Sequence, residues 1–248
     1  PAEEPRAGAL DGHYAAVLRT GWNAEDVAVV ASCHNSPAGH LQRDNGTLVI
    51  GRRGRWILSD PGYQQYLRGA EREFTIGPAA HNYPVIDGVN QTAKAGRRLA
   101  LDAPAPGLLR TKLDLTACYP EKPGLRSVHR TIWLSGRDYV VVADEIQGEG
   151  IQSVTYNWHG HPEAAWHARE NWFLLHLPED DLWFTAPQAQ LTSANIHRIE
   201  GSRGQLTATA RIQPAPALWW IFALSAAPPR VELAAGARSL QVNGRWFK

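Results

Sequence analysis

Among the histidines in the first third of the chain, His34, His40 and His81 stand in segments rich in loop-forming residues rather than inside apolar runs. Because the pKa of imidazole is near neutrality, each could act as a general acid, a general base or a metal ligand. Asp60, in the segment Ser59-Asp-Pro-Gly62, adds a carboxylate that would combine with His81 in a zinc site. Spacing alone favours a plainer interpretation, in which Asp60 starts its own turn and His81 is a hydrogen-bonded loop residue.

Arginines form a second group in the same third of the chain, at positions 43, 52, 53, 55, 68 and 72. Guanidinium groups bind carboxylate and sulfate through paired hydrogen bonds. Arg43 lies within the histidine segment and is the best candidate for contact with an anionic ligand. Arg52, Arg53 and Arg55 lie between two strand-like runs and are expected on a solvated hairpin turn.

Aromatic residues offer a third chemistry, because the faces of Trp and Tyr can pack on the apolar faces of sugar rings. The chain has 10 Trp and 7 Tyr. Most of the tryptophans lie inside strand-like runs and are expected in the core: Trp56, Trp133, Trp158, Trp172, Trp183, Trp219 and Trp220. Trp166 and Trp246 lie outside such runs. His159 and His161 would share a face of a strand, but a strand that ends at a polar surface explains them better than ligation.

The elements that must position these residues are strands. Short runs rich in β-branched or aromatic residues, such as 27–30, 47–50, 139–142, 154–158 and 218–224, are separated by turn residues. Without long amphipathic helices between them, the runs predict an all-β fold, a large antiparallel β-sandwich with little helix. A helical turn is expected within 64–73, and hairpin turns at 52–55, 135–138 and 147–150. We expect residues 1–248 to form one domain.

Composition excludes several classes of protein. Hydrophobic residues make up 44% of the 248 residues and charged residues 20%, which excludes a disordered chain. The net charge of +1 argues against a nucleic-acid partner. No apolar run approaches ~20 residues, so no membrane span is expected. Cys33 and Cys118 are expected to be buried thiols, with a disulfide as the alternative.

Several segments, taken in order, resemble the C-terminal β-sandwich domain of the heparinase II/III family of polysaccharide lyases. The segment from Val17 to Trp22 resembles the opening strand of that domain, and the segment Gly39-His-Leu-Gln-Arg-Asp44 resembles its G-H-x-H-x-D loop. Ser59-Asp-Pro-Gly62 resembles the D-P-G turn, and Ala80-His-Asn82 resembles the A-H-N segment. The segments Val141 to Glu145 and Asn157 to His159 resemble later strands.

The resemblance implies cleavage of an acidic, uronate-containing polysaccharide by β-elimination. It makes His40 the catalytic residue, as an acid/base or as a group that neutralises the uronate carboxylate, with Arg43 and Tyr66 expected to touch the substrate. It also implies an N-terminal helical toroid as partner, which carries a catalytic tyrosine, and a periplasmic or extracellular location. Only residues 1–12 precede the opening strand, so the chain is expected to be part of a longer protein, and inactive alone.

The resemblance further implies a metal site, usually zinc, at three positions occupied here by Asp60, His81 and Gln42. Gln42 stands where the family has a second histidine, and an amide oxygen is a poorer zinc ligand than imidazole. This leaves three possibilities: a metal completed by another group such as His40, a weaker or different ion, or no metal with Gln42 as a hydrogen-bond partner. The alternative function is a non-catalytic carbohydrate-binding or structural module.

Overall fold

The computed structural model describes residues 7–9, 14–34, 42–62, 64, 66–92, 96–188, 195–202 and 206–248. Its described strands form four sheets, and every pairing between named strands is antiparallel. The predicted all-β sandwich with little helix is confirmed.

The first sheet is a meander of five strands in sequence order. They are β1 (Ala7–Ala9), β2 (Ala15–Arg19), β3 (Ala28–Ser32), β4 (Leu48–Arg52) and β5 (Arg55–Leu58). Along β2 and β3 buried positions alternate with half-buried ones, because only one face of this sheet packs on the core. The opposite face of this sheet carries exposed residues, among them Trp56.

The largest sheet has eight strands and forms the middle of the molecule. Its strands are β7 (Arg97–Ala105), β8 (Leu108–Asp114), β9 (Leu125–Ser135), β10 (Tyr139–Gly148), β12 (Ala165–Arg169), β13 (Trp172–Leu177), β14 (Asp180–Thr185) and β17 (Leu218–Ala223). Their order is β12-β13-β14-β17-β10-β9-β8-β7. β17 is buried along its whole length, as its uninterrupted apolar sequence suggests.

Two smaller sheets complete the fold. One has the order β15-β16-β11-β6 and the other the order β18-β19-β20. Their strands are β6 (Val85–Ile86), β11 (Val154–His159), β15 (Asn195–Arg198), β16 (Leu206–Ile212), β18 (Val231–Leu233), β19 (Leu240–Val242) and β20 (Arg245–Phe247).

The core lies on both faces of the eight-stranded sheet. On one face, side chains such as Ile132, Val142 and Trp220 pack against the five-stranded and four-stranded sheets. On the other face, Trp133 and Trp219 pack against the three-stranded sheet. Alternate side chains of β9 and β10 therefore pack into two apolar layers, one on each face of the sheet. This explains why these strands are apolar almost throughout.

Helical structure is short in the described part of the chain. It comprises α1 (Ala70–Thr75) and three 3-10 turns at Pro78–Ala80, Thr116–Cys118 and Ala235–Ala237. The helix begins later than predicted. The Gln64 side-chain oxygen accepts hydrogen bonds from the backbone amides of Tyr66 and Leu67, at 2.9 and 3.2 Å, and so holds this stretch as a turn.

Two local predictions were wrong. The segment 147–150 was predicted to be a hairpin turn, but β10 and β11 belong to different sheets and the segment carries the chain from one to the other. Trp56 was expected in the core, but 45% of its surface is exposed. A hairpin turn does join β4 to β5 at Arg53-Gly54, as predicted.

The two cysteines are free and buried, as expected for small apolar residues. Burial raises the pKa of Cys33 to about 11 and that of Cys118 to about 12, so both stay protonated at neutral pH. In the described part of the chain no helix has the length and apolar character needed to cross a membrane.

Candidate functional site

The segments that resemble family loops meet at one end of the five-stranded sheet. The pairing of Ala31 with Leu48 and of Ile50 with Leu58 brings the end of β3, the start of β4 and the end of β5 to this end. The loop between β3 and β4 and the turn after β5 therefore emerge side by side. Polar segments that leave a rigid sheet together are a common setting for a functional site.

Asp60 and His81 are in contact at this end. Asp60 Oδ2 lies 3.0 Å from His81 Nδ1, while Asp60 Oδ1 accepts a hydrogen bond from the Gly62 amide at 3.0 Å. The carboxylate thus does two things: it caps its own turn and it orients the imidazole. His81 is fully buried and its ring stacks on Tyr83, with centroids 5.8 Å apart. Within the described residues His81 Nε2 has no hydrogen-bond partner.

Asn82 fixes the backbone on which His81 is carried. Its amide nitrogen donates to the carbonyl oxygens of Leu48 and Ser59, at 2.8 and 2.7 Å. Its side-chain oxygen accepts from the backbone amide of His159 at 3.0 Å. One buried amide therefore joins the start of β4, the turn after β5 and the end of β11, and all of its polar atoms are used.

His34 and Asp44 close the base of the loop between β3 and β4. His34 Nε2 lies 2.8 Å from Asp44 Oδ1, and the His34 backbone amide donates to Asn45 Oδ1 at 2.8 Å. Burial opposes ionisation of Asp44, but the hydrogen bond from His34 and the charge of His81 outweigh it and hold the pKa of Asp44 below its usual value. Asp44 is therefore an anion in the site at neutral pH.

Arg130, a buried residue of β9, connects the loop between β3 and β4 with the segment that carries His81. Its Nη1 donates to the carbonyl oxygens of Gly46 and Asn82, at 2.6 and 2.8 Å. Its Nε and Nη2 donate to the two oxygens of Asp144, at 2.7 and 2.8 Å, and the Tyr156 hydroxyl donates to the same carboxylate at 2.9 Å. Both charged side chains are fully buried. This clamp holds the loop that ends at Asp44 against the segment that carries His81.

The other predicted site residues are less constrained. Arg43 is exposed and Gln42 is partly exposed, and both lie beside Asp44 on the loop. Tyr66 is 72% exposed, on the turn that precedes α1. His40, the predicted catalytic residue, lies outside the described residues. The role predicted for His40 and the roles predicted for Arg43, Gln42 and Tyr66 stay predictions.

The donor atoms of the described residues do not by themselves complete a zinc site. Asp60 and His81 supply a carboxylate and an imidazole, but the described segments contain no group of three or more His, Cys, Asp or Glu side chains that could hold a metal ion. A structural zinc ion takes four such ligands as a rule, and Gln42 adds only an amide. These described residues therefore do not fit a zinc site.

Asn82 and Arg130 were not predicted from the sequence to be parts of the site, and His159 was predicted to end a strand at a polar surface rather than to bind a metal. His159 is buried, with Nε2 2.9 Å from the Ala79 carbonyl oxygen and Nδ1 2.9 Å from Thr207 Oγ1, so it is a structural residue. A usable signal existed for Arg130. It is a charged residue inside an apolar strand, and counting outward from the predicted turn at 135–138 places it opposite Asp144.

Comparisons with known proteins bear on the fold and the family of this chain. Heparan sulfate lyase HepC from Pedobacter heparinus superposes with a TM-score of 0.76 at 15% identity, and a heparinase III superposes with a TM-score of 0.75 at 18% identity. In both cases all of this chain is covered, but it spans only 42% of the other chain. No curated protein matches it. At this identity the structural likeness establishes the fold. The profile described as "Heparinase II/III-like, C-terminal" matches residues 1–229, and the chain therefore belongs to that family of polysaccharide lyases.

Proposed function

We propose that this chain forms the sandwich half of a lyase cleft that acts on a uronate-containing polysaccharide by β-elimination. The observation that carries the proposal is the clamped loop between β3 and β4. Arg130 and the His34–Asp44 contact hold its described ends beside the Asp60–His81 pair. His40 lies on this loop, two residues before Gln42 in the sequence.

The reaction needs a base, an acid and a neutralising group. A base removes the proton at C5 of the uronate, the C4–O bond breaks, a C4–C5 double bond forms and the leaving oxygen takes up a proton. The carboxylate beside C5 gains charge as the proton leaves, so hydrogen-bond donors must face it. His40 is proposed to serve as the acid/base or to neutralise that carboxylate, and the exposed Arg43 to bind it bidentately.

The remaining groups are proposed to come from elsewhere. The chain spans 42% of the lyases it resembles, and a helical N-terminal domain is the proposed partner that closes the cleft and supplies a catalytic tyrosine. Tyr66, which is exposed on the turn that precedes α1, is proposed to meet the substrate in that cleft. The Asp60–His81 pair is proposed to brace the loops.

The test uses the protein as its gene encodes it. Incubation with heparan sulfate, hyaluronan or polygalacturonate is followed by the ultraviolet absorbance of the unsaturated product. We expect activity on at least one polymer, its loss in His40→Ala, and its retention in His167→Ala, which changes an exposed histidine on β12. A His40→Ala variant that works at the wild-type rate would contradict the role of His40. Binding of these polymers without any product would favour a non-catalytic module, to which the replacement of a family histidine by Gln42 also points.

A further inference from the structure

A trough crosses the outer face of the five-stranded sheet, at the end remote from Asp60 and His81. Strand register places Arg19 beside Ala28, Ala28 beside Gly51, and Gly51 beside Trp56. These four residues form one row across β2, β3, β4 and β5, with side chains on the same face. Ala28 and Gly51 are small, so the surface is depressed in the middle of the row, and the larger side chains of Arg19 and Trp56 stand above it at the two ends. The row is about 13 Å along β3 from Ser32, where the candidate active site begins.

Trp56 forms one wall of the trough. A Cβ atom on Gly51 would lie 2.6 Å from Trp56 Cε3, so the indole lies directly against the glycine backbone. Nearly half of the tryptophan surface remains exposed. An indole that packs against a sheet and keeps nearly half of its surface exposed can stack on the apolar face of a pyranose ring.

Arg19 forms the other wall. Its guanidinium carbon lies 3.6 Å from the centre of the Trp22 ring, and this cation–π contact fixes its position. Its Nε is buried and has no hydrogen-bond partner among the described residues. In the described part of the chain no carboxylate pairs with Arg19. A cation that is held in place and has an unused hydrogen-bond donor can bind an anionic group.

The neighbouring arginines differ in their pairing. Arg52 bonds to Asp180 through Nε at 2.6 Å, and Arg53 forms two hydrogen bonds with Glu25 at 2.8 and 2.7 Å. Arg55, by contrast, pairs with no carboxylate in the described segments. All three were expected on a solvated turn, but Arg52 and Arg53 are held by carboxylates, whereas Arg55 lines the groove beside Trp56 and has no carboxylate partner among the described residues.

The space between these walls has the size of a saccharide subsite. The groove they line has a volume of about 270 Å³, and its lining residues include four arginines and one carboxylate, Asp26. That carboxylate is already occupied by Thr20 at 2.9 Å and by Arg137 at 2.8 Å. A second groove of about 980 Å³ shares Arg19 and continues toward Arg137 and the hairpin that joins β7 to β8.

We infer that this trough is a second, non-catalytic binding site for an anionic oligosaccharide. A pyranose unit stacks on Trp56, its carboxylate or sulfate bonds to Arg19, and the chain of sugars continues into the adjoining groove. The site lies away from the proposed catalytic loop and does not require that loop to be active. It would hold a polymer on the domain while another part of the polymer is in the cleft.

The 248-residue chain is titrated calorimetrically with a heparin hexasaccharide, a polygalacturonate hexasaccharide and maltohexaose. The first carries sulfate and uronate, the second uronate alone, and the third no charge. The variants are Trp56→Ala, Arg19→Gln and Gly51→Ala, in which the added methyl group displaces the indole. Trp246→Ala is the matched control, because Trp246 is similarly exposed (48%) on β20. Circular dichroism establishes that each variant is folded.

We expect at least one anionic hexasaccharide to bind, with affinity that falls as salt rises, and each folded trough variant to weaken it by about fivefold or more. Preference between the two anions tells sulfate from carboxylate recognition. Equal binding of maltohexaose, no binding of either anion, or wild-type affinity in Arg19→Gln would each overturn the proposal. A protein that lacks lyase activity but binds through Trp56 and Arg19 would refute only the proposed catalytic function.

Discussion

Replacement of Arg130 by methionine tests whether the buried clamp holds the candidate site together. The guanidinium donates to both oxygens of Asp144 and to two backbone carbonyls, all in the interior. Methionine fills a similar volume but leaves the Asp144 carboxylate buried without its counter-charge. Loss of one partner from a buried pair costs about 3–5 kcal/mol. We therefore expect the free energy of unfolding to fall by about that amount.

The chain contains a matched control in the same sheet. Arg110 also binds a carboxylate through two hydrogen bonds, to Asp102 at 3.0 and 2.6 Å, but the pair is solvent-exposed. Arg110→Met is expected to cost no more than about 1 kcal/mol. Urea denaturation of both variants, followed by tryptophan fluorescence, gives the two costs on one scale.

A double variant separates lost contacts from an uncompensated charge. Arg130→Met combined with Asp144→Leu removes both charges, and replacement of a whole buried pair by apolar residues is often close to neutral. We expect the double variant to be more stable than Arg130→Met alone, although the Tyr156 hydroxyl then loses its acceptor. If Arg130→Met costs no more than Arg110→Met, the clamp does not hold the site and the reasoning fails.

Three further outcomes follow from the same geometry. Asn82→Asp keeps the shape of the side chain but removes two donated hydrogen bonds and buries a charge, so we expect a loss of about 2–4 kcal/mol in urea denaturation; a change below 1 kcal/mol would contradict it. Because the described donors around His81 do not complete a zinc site and Gln42 replaces a family histidine, we expect less than one equivalent of zinc after dialysis, measured by mass spectrometry; one retained equivalent would refute this. The pKa of Asp26 is lowered to about 2, chiefly by the hydrogen bond from the Asn23 amide. Since its ordinary value is 3.8, ionised Asp26 contributes about 2 kcal/mol above pH ~4 that is lost as the pH falls toward 2, and Asp26→Asn should flatten this part of the pH–stability curve.

The strands could be predicted because their signal is local. Period-two runs between turn residues predict a strand from a handful of neighbours, and the predicted run 154–158 matches β11 (Val154–His159) to within one residue. The crossing at 147–150 could not be predicted, because a turn sequence does not state whether the next strand joins the same sheet. Trp56 was misassigned for a related reason: only the register shows that it lies over Gly51 on the outer face.

The candidate site was predictable only as far as its motifs extend. The contact between Asp60 and His81 joins two motif residues, and the family resemblance led us to expect them together. Asn82 belongs to the same motif, yet its three hydrogen bonds go to backbone atoms, which have no sequence signature. His34 fits no family position, and its pairing with Asp44 depends on the closure of a loop whose geometry is set by β3 and β4.

The buried polar network explains how a sandwich of apolar layers can fix the position of a loop. Apolar packing is non-directional and fills space, so it does not by itself define the register of one loop against another. Arg130 and Asn82 fix that register, because each hydrogen bond requires a particular geometry. A buried donor or acceptor that lacks its partner lowers the stability of the fold. The trough at the other end of the same sheet needs no such network, because strand register alone sets the spacing of Arg19 and Trp56. Substitutions in the clamp should therefore disturb the loop site and leave anionic saccharide binding at the trough unchanged in any variant that remains folded.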